Sequence, residues 1–204
     1  MTSVRRSGTK GVARADREQQ ILDVAGPVFG AHGFSATSVA DIAREAGISK
    51  PLIYNYFGSK DGLFERCLAH ASDLLIGEIE RSAQLGAVGL QRALVTLDGV
   101  FRVLEGRPWV WAVANDVTAP EGAGELLGSY QRRLEELARE GVGELLSLAG
   151  DDDTLDLDAM TAVWSSVFAS LVTWWCAHPG ITPDEMSDRC ERLFDAAFGV
   201  VLDG

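Results

Sequence analysis

The chain has 204 residues, of which 47% are hydrophobic and 24% are charged. This length and apolar share predict a folded globular protein and argue against intrinsic disorder. No run of about 18 purely apolar residues occurs, and no apolar segment follows the basic N-terminus. We therefore expect neither a transmembrane helix nor a secretory leader. Cys67, Cys176 and Cys190 lie far apart without a CxxC pair, which predicts free thiols in a reducing cytoplasm.

The formal net charge of −12 disfavours a polyanionic ligand, but the charges are unevenly distributed along the chain. Residues 1–66 hold nine Lys/Arg and seven Asp/Glu, a net of +2. The remaining residues hold nine Lys/Arg and twenty-three Asp/Glu, a net of −14. A polyanion is therefore expected to meet the N-terminal part, while the acidic remainder repels it and orients the encounter.

The N-terminus combines a basic segment with an amphipathic helix. Residues 1–11 mix cations with Ser, Thr and Gly, which is typical of a flexible basic arm or of a solvated tail without a role. A helix is predicted over about 12–32, because apolar side chains recur on one helical face. Pro27 predicts a kink or an early tightening of that helix, and Gly33 is a typical helix stop. The cations of the arm are Arg5, Arg6 and Lys10.

Capping residues mark the next helices. Thr37 and Ser38 are both able to cap a second helix over about 39–46, and Ser59 caps a long fourth helix. Thr182 opens the last helix, since a Glu three residues later completes a capping box. The helices predicted after the fourth cover about 88–105, 108–116, 123–149, 157–177 and 183–202. Neither a period-two strand pattern nor an internal repeat is visible, so the chain is predicted to be all-α.

The third helix is short and starts unusually. It is predicted over about 50–57, with Pro51 in the favoured first turn. Lys50 is expected as its cap in preference to Ser49, because the residue before a proline avoids the α conformation. The connection Gly47-Ile48-Ser49 gives the second and third helices the spacing of a helix-turn-helix, with the glycine supplying the positive φ that the turn needs.

The packing demands of a helix-turn-helix are met by small and apolar residues. Ala43 is small where the two helices cross, and apolar side chains fill the crevice between them. Such a unit cannot bury its apolar face alone, so the first helix and the start of the fourth are needed as a platform. The crevice residues are Ile42, Ala46, Ile48 and Ile53.

Several short segments between Ile21 and Leu63 surround the helix-turn-helix in a specific order. They are Gly33-Phe34, Thr37-Ser38, Ala46-Gly47-Ile48-Ser49 and, most specifically, Tyr54-x-Tyr56-Phe57-x-Ser59-Lys60. Through these segments the stretch Ile21–Leu63 resembles the TetR family of transcriptional regulators. The sequence departs from the family's pattern at Pro51-Leu52, where a small residue and then a hydroxyl residue are common, and at Pro27, which lies in a helix that is usually regular.

The resemblance implies a division of the chain and a function. Behind the arm at 1–11, it implies a three-helix DNA-binding domain over 12–60 and a larger helical ligand-binding and dimerisation domain over 61–204. It further implies a homodimer, formed through the last two helices, that represses transcription at a near-palindromic operator in double-stranded DNA. A small apolar effector would release the DNA. A helical protein-interaction scaffold that binds no DNA is the alternative.

Polar and aromatic side chains around the third helix fit a DNA interface. Lys50 suits guanine acceptors, and Asn55 suits either adenine or a capping or solvent-facing role. Lys60 lies at a helix N-terminus, where free N–H groups and the dipole favour a phosphate. Tyr54 suits a phosphate contact or the core. The predicted DNA-binding residues are Thr37, Ser38, Ser49, Lys50, Tyr54, Asn55, Tyr56 and Lys60.

The second part of the chain is rich in aromatic residues. The helix over about 157–177 is apolar on one side and small on the other, so it is able to pack on two neighbours at once. Aromatic side chains here fit either an apolar ligand pocket or plain core, and the resemblance implies a pocket in this region. The candidate pocket residues are Phe101, Trp109, Trp111, Trp164 and Phe168.

The sequence lacks the usual catalytic and metal-binding motifs. The sequence shows no Ser-His-Asp order, no glycine-rich phosphate loop and no metal-ligand cluster, and its histidines are His32, His70 and His178. Cys176 and His178 supply only two potential ligands, which do not make a zinc site. The chain is therefore predicted to be neither an enzyme nor a metal- or cofactor-binding protein.

Overall fold

A computed structural model describes residues 14–85 and 87–198. Within these ranges the chain forms nine α-helices, one 3-10 turn at Glu121–Ala123 and no strand, as the all-α prediction requires. The predicted arm at 1–11 lies outside the described residues. The helices are α1 Arg14–Ala36, α2 Val39–Glu45, α3 Lys50–Phe57, α4 Lys60–Ala83, α5 Gly89–Leu104, α6 Trp109–Ala114, α7 Gly124–Ala149, α8 Thr154–Cys176 and α9 Pro183–Phe198.

Helix α1 is interrupted where the sequence predicts its end. Gly33 has φ 74° and ψ 164°, a conformation that an L side chain rarely adopts, and a short turn over Phe34–Ala36 follows it. Gly33 is the one residue of α1 with a non-helical backbone. The backbone dihedrals at Pro27 are helical, and the interruption of α1 lies at Gly33.

The helix-turn-helix is closed by hydrogen bonds at the end of α2. The Ile48 N–H donates to the Ala43 carbonyl at 3.0 Å and the Gly47 N–H to the Arg44 carbonyl at 3.2 Å. These two bonds form a Schellman motif around a glycine with φ 65°. Ile42 and Ile53 are fully buried in the crevice between the helices.

The predicted cap of α3 is corrected from Lys50 to Ser49. Ser49 has the extended backbone of a cap (φ −84°, ψ 142°), and α3 begins at Lys50. The bias of a pre-proline residue against the α conformation is a preference that tertiary packing overrides. Pro51 also removes only a first-turn donor, for which the helix has no acceptor.

An aromatic cluster fixes α1 on α4. Phe64 of α4 packs edge-on against Phe29 and Phe34, with ring centroids 5.2 Å apart in both pairs. Phe29 and Phe64 are almost completely buried. Edge-to-face pairs of this kind contribute about 0.5–1.5 kcal/mol beyond area burial. The three-helix unit thus rests on α4, and α4 continues into the rest of the molecule.

The body is held together by packing and by ion pairs between helices. α9 lies antiparallel to α5, as shown by the Arg102–Asp184 ion pair at 2.6 Å and the Ser187–Asp98 hydrogen bond at 2.8 Å. The predicted capping box at the start of α9 is present, because Glu185 accepts from the Thr182 N–H at 2.9 Å. This bond is the main reason that the pKa of Glu185 lies below its ordinary value.

Helix α8 differs from its neighbours in being apolar over much of its exposed surface. Among the described helices it alone is long and apolar enough, by length and composition, to cross a bilayer, which is weak evidence for a span. Its sequence also contains serines and threonines between its two ends, and the helix packs on α7. Val172 and Trp175 point into the core, whereas Val163 is 54% exposed.

Candidate nucleic-acid interface

Helix α3 turns one face to the core and the other to solvent. Ile53 is fully buried, and Leu52 and Phe57 are partly buried, which anchors the helix on the platform below it. Lys50 and Asn55 are exposed, and Tyr54 is 39% exposed. The outer face of α3 therefore carries a cation, an amide and a phenol, which together offer hydrogen-bond donors and acceptors to base edges and phosphates.

Three cations lie over aromatic rings around this face. The Lys50 Nζ is 5.6 Å from the ring centroid of Tyr54, and the Arg14 guanidinium carbon is 5.2 Å from that of Tyr56. Lys60 Nζ lies 4.1 Å from the centroid of Phe34. Each aromatic ring limits the positions of its cation while leaving N–H groups free to turn towards an anion. The positive charge is thereby held close to α3 before any ligand arrives.

The starts of α2, α3 and α4 are capped differently. The hydroxyls of Ser38 and Ser59 accept from the N–H groups of Asp41 and Gly62, at 3.1 Å and 2.9 Å. Ser49 is exposed and makes no side-chain capping bond, so its hydroxyl stays available. The first-turn N–H groups that remain without an acceptor inside these helices favour a bound phosphate.

Thr37 is placed differently from the other predicted contacts. Its side chain is buried, and its hydroxyl donates to the Gly33 carbonyl at 2.8 Å. Its N–H donates to the Phe34 carbonyl. Both donors of Thr37 are therefore used inside the protein, where they fix the turn between α1 and α2.

A carboxylate at the start of α2 lies among the candidate contacts. Asp41 accepts from the Ser38 hydroxyl and pairs with Arg44 at 2.7 Å. The Ser38 hydrogen bond, followed by Arg44, holds the pKa of Asp41 below its ordinary value. The negative charge of Asp41 interacts favourably with the N-terminal dipole of α2 and neutralises part of the positive charge of Arg44.

The structure adds two cations that sequence reasoning did not select. Arg14 reaches Tyr56 from the start of α1, forty-two positions away in the chain, and Arg44 is exposed at the end of α2. The residue types alone gave no signal, because exposed arginines are common on helices. Only the folded position of α1 beside α3 brings Arg14 to the candidate surface.

The predicted pocket residues separate into two places. Trp111 and Trp164 both contact Phe168, with ring centroids 6.4 Å and 6.2 Å apart, so these three lie together. Phe101 packs on Trp175 in the adjoining core, at 5.1 Å. Trp109 lies elsewhere, against α1 and beside His70 of α4. Among the described residues, no group of three or more His, Cys, Asp or Glu is arranged to hold a metal.

Comparison with known proteins identifies the family to which this chain is similar. Residues 21–67 match the model of the bacterial regulatory proteins of the tetR family. The mycofactocin biosynthesis transcriptional regulator MftR of Mycobacterium tuberculosis is 41% identical over 195 residues, which cover 94% of this chain and 92% of that protein. The activator FasR of Mycolicibacterium smegmatis is 30% identical over 92 residues. That alignment covers 45% of this chain and only 42% of FasR, and so less than half of either protein.

The likeness extends to the whole fold. A TetR-like transcriptional regulator from Rhodococcus sp. RHA1, known from its crystal structure, superposes with a TM-score of 0.74 at 26% identity. The match covers 93% of this chain and all of the Rhodococcus chain. The helix-turn-helix, the helical body and the near full-length relative all indicate the same family. The chain belongs to the TetR family of helix-turn-helix transcriptional regulators.

Proposed function

We propose that this chain is a cytoplasmic repressor that binds a near-palindromic operator as a homodimer and leaves it when a small apolar molecule binds. Residues 12–60 form the DNA-binding domain in this proposal, and 61–204 form the ligand-binding and dimerisation domain. The observation that carries it is the exposed face of α3, with Lys50, Tyr54 and Asn55 outward and Ile53 buried.

The DNA contacts divide by chemistry. Lys50 and Asn55 project from α3, where major-groove base edges would lie, so we assign them to sequence readout. Lys60, at the start of α4, is assigned to the phosphate backbone with three hydroxyl groups. Those hydroxyl groups belong to Ser49, Tyr54 and Tyr56. Thr37 and Ser38, which the sequence also predicts as contacts, are left out, because their hydroxyls already donate to the Gly33 carbonyl and to Asp41.

The dimer is proposed through α8 and α9. Side chains at 155, 159, 163, 166, 170 and 174 recur at helical spacing along α8, and all are exposed. This stripe is apolar at both ends and has two serines in the middle, where a second helix is able to approach closely. Arg189 of α9 lies over Trp174 at 5.7 Å, and Leu193 of α9 is 51% exposed, so the two helices present one continuous surface. A second copy would remove this apolar surface from water.

The effector is assigned to the aromatic group in the body. Trp111, Trp164 and Phe168 lie together, and Trp111 donates to Thr173 of α8 at 3.0 Å. These rings suit an apolar ligand held between helices. Phe101 adjoins the group through Trp175, whereas Trp109 is left out because it packs on α1. Such a ligand releases DNA only if it binds the two states of the protein unequally.

The test is DNA binding followed by a transcription readout. The full chain is footprinted on the DNA flanking its own gene, and the protected fragment is titrated with wild-type protein, Lys50→Ala and, as a matched control on α7, Arg132→Ala. We expect Lys50→Ala to weaken binding and relax sequence preference, and Arg132→Ala to match the wild type. A reporter behind the fragment should fall in output when the protein is expressed. Absence of any protected fragment would favour the interaction-scaffold alternative, and a rising reporter would show an activator.

A further inference from the structure

The loop after α6 holds the junction between α1 and α2. The Phe34 N–H donates to Asp116 Oδ2 at 2.6 Å, and the Ser35 N–H donates to Thr118 Oγ1 at 3.2 Å. These donors need outside acceptors, because the left-handed turn at Gly33 interrupts the helical ladder just before them. We call this set of contacts, made by residues 116 and 118 to residues 34 and 35, the clasp.

The acceptors of the clasp are themselves fixed. Asp116 Oδ1 accepts from both the N–H and the hydroxyl of Thr118, at 2.8 Å and 2.7 Å. The carboxylate is thus pinned by its own loop, and the Phe34 bond is a charge-assisted one, stronger than a bond between neutral groups. Since Thr118 both donates to Asp116 and accepts from Ser35, loss of the carboxylate would loosen both contacts.

A second contact lies one turn earlier along α1. Gly26 and Gly30 face Trp109 of α6 so closely that a Cβ on Gly30 would lie 2.8 Å from the Trp109 Cα. The ring of Trp109 also stacks near His70 of α4, with ring centroids 6.1 Å apart. The glycine contact holds α1 against α6, and the clasp holds it against the loop that follows α6. Two separate points of contact fix both the position and the direction of α1.

The clasped segment leads directly into the helices that would read DNA. Thr37, whose hydroxyl bonds the Gly33 carbonyl, connects the clasp to the Ser38 cap of α2. α2 in turn sets α3 through the closed turn at Gly47. The position of α3 relative to the body therefore depends on the α6–α7 loop, although no residue of that loop lies in the helix-turn-helix.

We propose that Asp116 is a positioning residue that sets the separation of the two α3 helices in the dimer, and with it the half-site spacing that the protein accepts. This inference rests on the proposed dimeric, DNA-binding function. Adjacent base pairs are about 3.4 Å apart along DNA. A displacement of α3 by a few ångströms in each protomer is therefore enough to favour an operator one base pair longer or shorter.

The experiment uses half-sites selected from random DNA by the wild-type protein. Two half-sites are joined by the selected spacer or by spacers one and two base pairs longer or shorter, and each duplex is titrated with the full chain. The wild type is expected to prefer one spacer by at least about tenfold, whereas Asp116→Ala should compress that preference to about threefold or less. Binding to a single half-site should stay unchanged, because Asp116 does not reach the α3 surface.

Two further variants separate positioning from general damage. Asp116→Asn keeps the shape and a neutral acceptor, so its spacer preference should lie between wild type and Asp116→Ala. Thr118→Val removes the acceptor of Ser35 and should also relax spacing. Asp152→Asn, a charge change in the loop after α7, is the control and should behave as wild type. Wild-type spacer ratios in folded Asp116 and Thr118 variants would overturn the inference. A wild-type protein that selects no DNA would instead overturn the proposed function.

Discussion

A single lysine illustrates how one residue serves both the fold and the proposed interface. Lys60 is the first residue of α4, and its Nζ lies 4.1 Å from the centroid of Phe34. In the free protein this contact stabilises the junction of α1 and α4 by about 0.5–1 kcal/mol. When DNA binds, the same ammonium is close to the free N–H groups of the α4 terminus, where a phosphate is favoured.

We expect Lys60→Ala to weaken binding to every DNA sequence similarly and to lower the slope of log K against log salt by about one. The cause is the loss of one released counterion, with no base contact removed. Titrations at four salt concentrations measure the slope, with Arg132→Ala on α7 as the charge-matched control. An unchanged slope in Lys60→Ala would remove this residue from the phosphate contacts.

The cysteine side chains are shielded from reagents in solution, since Cys67 and Cys190 are buried and Cys176 is partly buried. Burial raises the pKa of Cys67 to about 12 and those of Cys176 and Cys190 to about 11. A buried thiol stays protonated while the same thiol in the unfolded chain ionises near pH 9. The contribution of each protonated, buried thiol to the free energy of unfolding is therefore complete below pH 9. It is lost as the pH rises towards the pKa of the thiol in the folded protein.

At pH 8 we predict that Cys67 reacts with a maleimide at least about 10³-fold more slowly in the native protein than in urea, since its thiolate is suppressed to that extent. Cys176, which is only partly buried, should react first. Timed labelling with peptide mass analysis checks the order, and Cys176→Ala should abolish the earliest adduct. Rapid native labelling of Cys67 would contradict its placement in the core.

At the scale of helices, glycine is required for packing at one position and lowers stability at another. Gly30 of α1 lies against the backbone of Trp109, and a Cβ there would come within 2.6 Å of the Trp109 Cβ. Gly77 lies in the interior of α4, with nothing within 4 Å of a Cβ. The first glycine is required by a close approach, whereas the second only weakens its helix.

Gly30→Ala is expected to destabilise the protein by about 1–3 kcal/mol, because α1 and α6 must move apart. Gly77→Ala should stabilise it by about 0.5–1 kcal/mol, through better helix propensity and a less flexible unfolded chain. Urea denaturation of both variants measures the two free energies of unfolding, each serving as control for the other. Equal changes in the same direction would contradict the close packing of α1 on α6.

The limits of sequence-based prediction are visible in these same helices. Local signals such as Ser38, Ser59 and the Thr182 capping box lie within a few residues of the helix ends they define, so the predicted bounds differ little from the observed ones. The clasp joins positions 34 and 116, eighty-two apart. No local sequence pattern predicts such a contact, because it arises only when α1 packs on α6. The burial of Thr37 escaped prediction for the same reason.

At the scale of the whole molecule, the exposed apolar surface of α8 and α9 is the feature that a single protomer leaves unexplained. Val163 and Leu193 are both more than half exposed. The proposed dimer would bury these side chains and direct the acidic bodies of both protomers away from the DNA, so that only the basic parts face it.

We therefore expect Val163→Glu and Leu193→Glu to convert a dimer into a monomer, because each places two like charges at a desolvated contact. Light scattering coupled to size-exclusion chromatography measures the mass. Tyr54→Glu, which adds the same charge on α3, should remain dimeric. A monomeric wild type, or dimeric variants, would contradict an interface on α8 and α9.

Helix α4 has a consequence for engineering. It starts beside the helix-turn-helix and runs 24 residues, about 36 Å, into the body without a break. There is thus no flexible joint at which the DNA-reading part of one regulator is readily exchanged for that of another. A chimaera has to be spliced inside a continuous helix, where each residue added or removed turns one half by about 100° relative to the other. Exchange is expected to succeed only where the helical phase of α4 is kept.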